Sequence, residues 1–376
     1  MIISGARIVT DGMLIDGKDI VVNGDTVTEI KDHNSFEKGI DLGGCFLTPG
    51  LIDMHCHGGA GYEFIDANPD AFYNACKIHA KAGTRVLYPT ISATDFDTLA
   101  KCLEVAKQVK EDCGPVIPGL HLEGPYLSPE MCGAQDTCYM HAPDPKEYLP
   151  LLKRYGDMIS RWTYAPEYDA DCQFLNTLNE YGVAAAVGHS NATYEHMEPA
   201  YRNNCRIATH LYSSMSTITR KGGFRRLGVI ECAYLFDDMY TEAIGDMCHI
   251  PPELMRLIVK IKTPDRVCLI TDGIRFAGME SVDNTRGGTE RIPYFIEDGV
   301  AKLSDRSGFA GSIVTLGEVL KRMIAEKFDI ADVIQMMTET PANAMKLTRY
   351  GRIASGYKAL FSAFDEKLNP VDVPNL

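Results

Sequence analysis

The chain has 376 residues, 45% hydrophobic and 23% charged, a globular composition long enough for two or three domains or for one large barrel with an appendage. Lys plus Arg number 37 against 51 Asp plus Glu, and the net charge of −14 argues against nucleic acid or an anionic membrane as partner. No apolar run reaches the ~18 residues of a membrane span, and residues 1–7 show no basic region followed by an apolar stretch, so neither a span nor a signal peptide is expected. The 12 cysteines are scattered without a C-x-x-C pair, which excludes a zinc ribbon or disulfide scaffold and predicts reduced thiols in a cytoplasmic protein.

From residue 1 to about 48 the chain reads as short strands and turns. Asp19-Ile20-Val21-Val22 and Thr26-Val27-Thr28-Glu29-Ile30 flank Asn23-Gly24-Asp25, in which the Asn-Gly pair tolerates positive φ and predicts a hairpin. The middle of the chain alternates short apolar runs with amphipathic segments. The runs are 51–57, 84–91, 117–123, 160–165, 183–189, 206–210, 241–246 and 266–272. Pro69 opens one helix that Gly83 closes, and Asp95 caps another in which Phe96, Leu99, Leu103 and Val109 share a face. Asp144-Pro145-Lys146-Glu147 offers an N-cap, a proline at the first helical position and a capping-box Glu, with Gly156 as the stop. Further helices are expected from Thr193 and Pro251, and near Ser312 and Asp329.

Eight strand–helix cycles predict a parallel (β/α)₈ TIM barrel over 49–349. A doubly wound open sheet is the runner-up, weakened by the absence of a G-x-G-x-x-G or a Walker-type loop. β character resumes from about Gly351, in Gly356-Tyr357-Lys358 and then 359–364. Two small β segments at opposite ends cannot each bury a core. A small β-sandwich domain built from 1–48 plus 350–376 is therefore expected.

Barrel chemistry lies at the C-terminal ends of the strands. Five of the runs end in a residue able to bind metal or move a proton: His55 and His57, Glu123, His189, His210 and Asp272. Residues i and i+2 of a strand share a face, so His55 and His57 point together into the mouth while Cys56 faces the helices. Each residue alone reads as a structural histidine or a turn carboxylate. Together they would bring several unpaired polar groups to one buried mouth, a costly arrangement that a divalent metal relieves. Imidazole with carboxylate suits zinc, iron or manganese. His121 is expected one layer deeper, and His33, His79, His141 and His196 are expected to be structural or exposed.

The motifs Thr48-Pro49-Gly50-Leu51-Ile52-Asp53-Met54-His55-Cys56-His57, His121-Leu122-Glu123-Gly124-Pro125, Gly188-His189-Ser190, Thr209-His210-Leu211-Tyr212, Leu269-Ile270-Thr271-Asp272-Gly273 and Phe309-Ala310-Gly311-Ser312 resemble those of the amidohydrolase superfamily. As a set they are similar to the N-acetylglucosamine-6-phosphate deacetylases. The resemblance implies Glu123, His189 and His210 as ligands of a principal metal, with His55 and His57 supporting a second and Glu123 bridging. One or two divalent ions per subunit are expected, zinc first, iron or manganese as alternatives. Asp272 is implied as the proton-transferring carboxylate, and a homodimer acting on a small N-acetylated sugar phosphate as the working unit. Ala134, Gln135, Ser213, Ser214, His249 and Ser312 are expected at the substrate. Gln135 stands where the family commonly has His, and Ser213-Ser214 where it has Asn-Ala. Arg220 and Lys221 belong to the densest basic patch, with Arg225 and Arg226, and are expected to pair with phosphate, in the family from the neighbouring subunit. The alternative substrates are N-acetylgalactosamine-6-phosphate or an unphosphorylated N-acetylhexosamine.

Overall fold

The protein is described by a computed structural model covering residues 1–372. Residues 373–376, the end of the expected β domain, lie outside the described residues. Eight parallel strands, Leu51–Cys56, Thr84–Ile91, Leu120–Glu123, Ile159–Tyr164, Ala184–Val187, Ile207–Ala208, Tyr240–Ile244 and Val267–Ile270, form one sheet in chain order. The ends of the sheet meet: the His57 N–H donates to the Gly273 carbonyl at 2.8 Å, and the Asp272 N–H to that of His55 at 3.0 Å. This is a (β/α)₈ barrel, and all eight expected runs coincide with its strands.

Period-two alternation divides the strand residues. Leu87, Leu122, Trp162, Val187 and Leu269 pack in the large core against the helices. Val86, Tyr88, Ile244 and Ile270 belong to a separate buried cluster, on the phase of the lumen-facing Thr90 and Glu242.

The helices start where the sequence placed their caps. Asn68 caps Pro69–Lys81, Asp95 caps Phe96–Val109, and Asp144 caps Pro145–Tyr155, each accepting a backbone N–H from the first turn. Two details differ. Glu147 makes no reciprocal cap and instead accepts from the Tyr126 hydroxyl at 3.4 Å. Gly156 does end the helix, but at φ −57 rather than in a left-handed conformation, because the chain tightens directly into the short turn Gly156–Met158.

Both chain ends contribute to two further sheets. One orders Thr26–Asp32, Lys18–Asn23, Ile2–Ser4 and Ile40–Asp41; the other orders Pro370–Val371, Phe361–Phe364, Phe46–Pro49, Arg7–Thr10 and Met13–Ile15. Ile3, Ile20 and Val27 of the first share a core with Ile8, Leu47 and Phe361 of the second. In the hairpin Asn23 pairs with Thr26, so the two-residue turn is Gly24-Asp25 rather than Asn23-Gly24, and Gly24 takes the positive φ of 59°. A three-stranded sheet that the sequence reading did not anticipate, Arg286–Gly288, Pro293–Glu297 and Val300–Leu303, stands after the eighth barrel strand. Tyr294 and Ile296 pack it on Ile274 and Phe276.

Candidate metal centre

Glu123 ends its strand, His55 is the penultimate residue of the first strand, Leu51–Cys56, and His57 follows that strand at once. His189, His210 and Asp272 were expected to complete theirs, but those strands stop two residues earlier. The reason is backbone geometry. These three residues have φ of 46°, 30° and 48°, a left-handed conformation that leaves the ladder and turns each side chain over the mouth. Non-glycine residues hold such angles only where the surroundings fix them, and they cluster at functional sites.

The six side chains converge. Glu123 Oε1 lies 3.1 Å from His189 Nε2 and 2.9 Å from His210 Nε2, and the two imidazole nitrogens are 3.1 Å apart. Glu123 Oε2 lies 3.2 Å from His57 Nε2. Asp272 Oδ1 is 3.4 Å from His55 Nε2 and 3.3 Å from His57 Nε2. Two donor groups result, Glu123-His189-His210 and His55-His57-Asp272, with Glu123 reaching both. Their spacing suits a cation: ligand distances of 2.0–2.1 Å around a tetrahedral ion imply edges of about 3.3 Å.

The charges agree. Burial works to raise the Glu123 carboxyl, yet His55 and His189 beside it hold it well below the usual range. Burial works to lower His57, but Asp272 and Glu123 outweigh it and push the imidazole up to about 10. The carboxylates therefore demand positive charge between them, which a proton or a metal ion can supply.

Neighbouring groups set the tautomers. His189 Nδ1 donates to the Met131 carbonyl at 2.9 Å, leaving Nε2 as the free lone pair. His57 Nδ1 faces Ser92 Oγ at 3.1 Å, and His55 Nδ1 faces Glu242 Oε2 at 3.1 Å. His121 lies beneath, between Thr90 and Thr163, edge-on to His55. Burial, with Arg161 nearby, lowers His121 far below an ordinary histidine, so it stays neutral. Cys56 faces outward to His79 on the first helix, at 3.1 Å.

Over these groups opens a cavity of ≈ 1000 Å³. Ala134, Gln135, Ser213, Ser214 and His249 line it. Gln135 is also tied to the metal groups: its Nε2 donates to Glu123 Oε2 at 2.6 Å, and its Oε1 accepts from the Ala93 N–H at 2.6 Å. His249 is clamped by Asp246 at 2.7 Å. Burial opposes its charged form, but Asp246 outweighs that and raises its pKa.

One expectation does not fit. Ser312 is fully buried and does not line the cavity; its Oγ donates to the Thr271 carbonyl and its N–H to that of Asp272, so it braces the Asp272 turn. Arg220 and Lys221 sit on an exposed hairpin, Thr219–Lys221 with Phe224–Arg226, outside their own chain's cavity. The cavity wall instead includes Arg275 and Arg291, which sequence reasoning passed over. Arg275 is engaged by Glu63 at 2.8 Å, whereas Arg291 meets Asp136 at 3.2 Å with most of its side chain exposed. Also missed were Arg161 and Glu242, whose signal was available: a charge in the middle of an apolar barrel strand.

These features define an amidohydrolase-type centre, and a sequence model of the amidohydrolase family matches residues 46–375. The chain belongs to that family. It is 31% identical over 361 residues to the N-acetylglucosamine-6-phosphate deacetylase of Lysinibacillus sphaericus, an alignment covering 93% of this chain and 90% of the relative. The N-acetylgalactosamine-6-phosphate deacetylase of Shewanella sp. (strain ANA-3) is 25% identical, over 96% of this chain and 90% of its own. The crystal structure of N-acetylglucosamine-6-phosphate deacetylase from Pasteurella multocida superposes with a TM-score of 0.89 at 28% identity, covering 98% of this chain and 96% of that one.

Proposed function

We propose that the chain is a divalent-metal-dependent deacetylase that converts N-acetylglucosamine-6-phosphate to glucosamine-6-phosphate and acetate, a step of amino-sugar catabolism in the cytoplasm. The observation that carries this reading is the convergence of two donor groups through Glu123, with Asp272 beside them on the floor of a sugar-sized cavity. The names of the relatives support the substrate. Residues 49–349 form the catalytic barrel in this reading, and 1–48 plus 350–376 the supporting β domain.

Glu123, His189 and His210 would hold the principal ion, and His55 and His57 with Glu123 a second. Zinc is the first choice for this donor set, with iron or manganese as alternatives. When bound, such an ion supplies a water of lowered pKa and polarises the acetamide carbonyl. Asp272 accepts the proton of the attacking water and returns it to the departing amine nitrogen. Burial works against the Asp272 carboxylate, but His55 and His57 hold its pKa down at about 2, so it is ionised and ready to accept. Gln135 can donate a neutral hydrogen bond near the developing oxyanion. His249 offers a cation to the sugar phosphate, and Ala134, Ser213 and Ser214 contact the substrate. Ser312 acts through the Asp272 turn.

Arg220 and Lys221 would reach the phosphate across a homodimer. Their hairpin is exposed, and Phe224 at its tip is 80% accessible, an unusual apolar exposure that a second copy would cover. Replacing both by Ala should raise KM for the phosphorylated sugar at least tenfold while leaving the free sugar unchanged. Equal effects on both substrates, or a larger effect from Arg291→Ala, would remove them from this role.

A second reading, N-acetylgalactosamine-6-phosphate or an unphosphorylated N-acetylhexosamine, is favoured by Gln135 and Ser213-Ser214 in the wall and by the Shewanella relative. Acetate release from the gluco and galacto sugar phosphates and their free sugars decides. The first reading requires the highest kcat/KM on N-acetylglucosamine-6-phosphate.

A further inference from the structure

Arg161, on the fourth barrel strand, and Glu242, on the seventh, are both wholly buried. Arg161 donates through both terminal nitrogens to the Glu242 carboxylate, and further to Thr209 Oγ1 and the Met54 carbonyl. Glu242 Oε2 in turn accepts from His55 Nδ1 at 3.1 Å and from the His210 N–H at 3.1 Å. One carboxylate thus reaches a histidine of each donor group: the ring of one and the left-handed backbone of the other.

This arrangement has a chemical consequence. A histidine that ligates through Nε2 must carry its proton on Nδ1, and an ionised carboxylate facing Nδ1 enforces that tautomer. Arg161 holds the Glu242 carboxylate in that place through both of its terminal nitrogens, so the oxygen facing Nδ1 is an acceptor. Stability alone does not call for the pair, because apolar residues often replace a buried ion pair without loss.

We propose that Glu242, held in place by Arg161, is the positioning residue that makes His55 a metal ligand, and so sets the affinity of the second ion. The inference rests on the two-ion reading above. In Glu242→Gln the new amide oxygen still accepts the His210 N–H. That oxygen faces His55 Nδ1 as well, but as a neutral group it favours the Nδ1–H tautomer less than a carboxylate does, and the amide nitrogen at the other position meets the Arg161 guanidinium donor to donor.

Metal-stripped wild type, Glu242→Gln and the charge-balanced Arg161→Met/Glu242→Gln variant are titrated with zinc against a chromophoric chelator. Bound zinc is counted by mass spectrometry, and the fold is monitored by circular dichroism. The expected result is two ions in wild type. In the folded variants the second ion should be weakened by about 10–100-fold, with the first ion little changed and, in the charge-balanced variant, the thermal midpoint little changed. Wild-type affinity for both ions in a folded variant overturns the inference, as does an equal loss of both ions or failure of both variants to fold. A single ion in wild type removes the two-ion reading itself, and this inference with it.

Discussion

Asp272 touches both histidines of the second donor group, and its carbonyl is held by the Ser312 N–H at 2.9 Å. A side chain of the same shape that cannot take a proton isolates its chemical role. Asp272→Asn should retain bound metal while kcat falls by about 10²–10⁴; near-normal turnover in a metal-replete sample would exclude the assignment. His249 gives a pH-dependent counterpart. Its folded pKa lies above 6.5, because Asp246 outweighs the opposing burial. The stabilisation this contributes is complete below 6.5 and lost as pH rises through the folded value. Asp246 is shifted the other way: burial raises it, His249 lowers it further, and its contribution is present above 3.8 and lost as pH falls through its folded value. Asp246→Asn removes the group that keeps His249 cationic. KM for the phosphorylated sugar should then climb at lower pH than in wild type, and superimposable KM–pH profiles would show that His249 does not meet the phosphate as a cation.

At the level of elements, the site depends on turns more than on strands. The eighth strand ends at Ile270, and Asp272 is carried by a turn wedged between the first strand and 311–312. Gly311 adopts φ 82°, and a Cβ there would fall 2.9 Å from the Asp272 carbonyl oxygen and 2.7 Å from an Ile274 methyl. Gly311→Ala should therefore lower kcat and cost at least ~1 kcal/mol of stability, read from activity and thermal unfolding of one preparation; unchanged kcat would mean that the turn yields without moving Asp272. The strands themselves were legible because apolar runs bounded by caps and proline repeat eight times. The turns were not, since left-handed angles at His189, His210 and Asp272 depend on contacts made across the barrel. The three-stranded sheet after the eighth strand escaped for a similar reason: it begins in a Gly-rich, polar segment and is held by Tyr294 and Ile296 packing on Ile274 and Phe276. Glu242 and Arg161 were visible as charges within apolar strands, but their partnership required the closed barrel.

Across the whole molecule, residues from 55 to 272 are gathered into one mouth by closure of a sheet whose strands follow chain order. No helix among the described residues is long and apolar enough to cross a membrane. The one tryptophan, Trp162, is buried between the fourth strand and the helices and donates to the Gly124 carbonyl next to Glu123 at 2.9 Å. Its fluorescence therefore offers an internal monitor of folding close to the site. An ion binding only the folded state at a thousandfold excess over its Kd adds about 4 kcal/mol, so chelation should lower the thermal midpoint seen by Trp162. The most direct test of the central claim measures acetate release and bound metal together, in protein stripped by a chelator and then reloaded stepwise with zinc, iron or manganese. Turnover should vanish with the metal and return in proportion to the ion regained. Undiminished turnover in protein shown to hold no metal would contradict that claim.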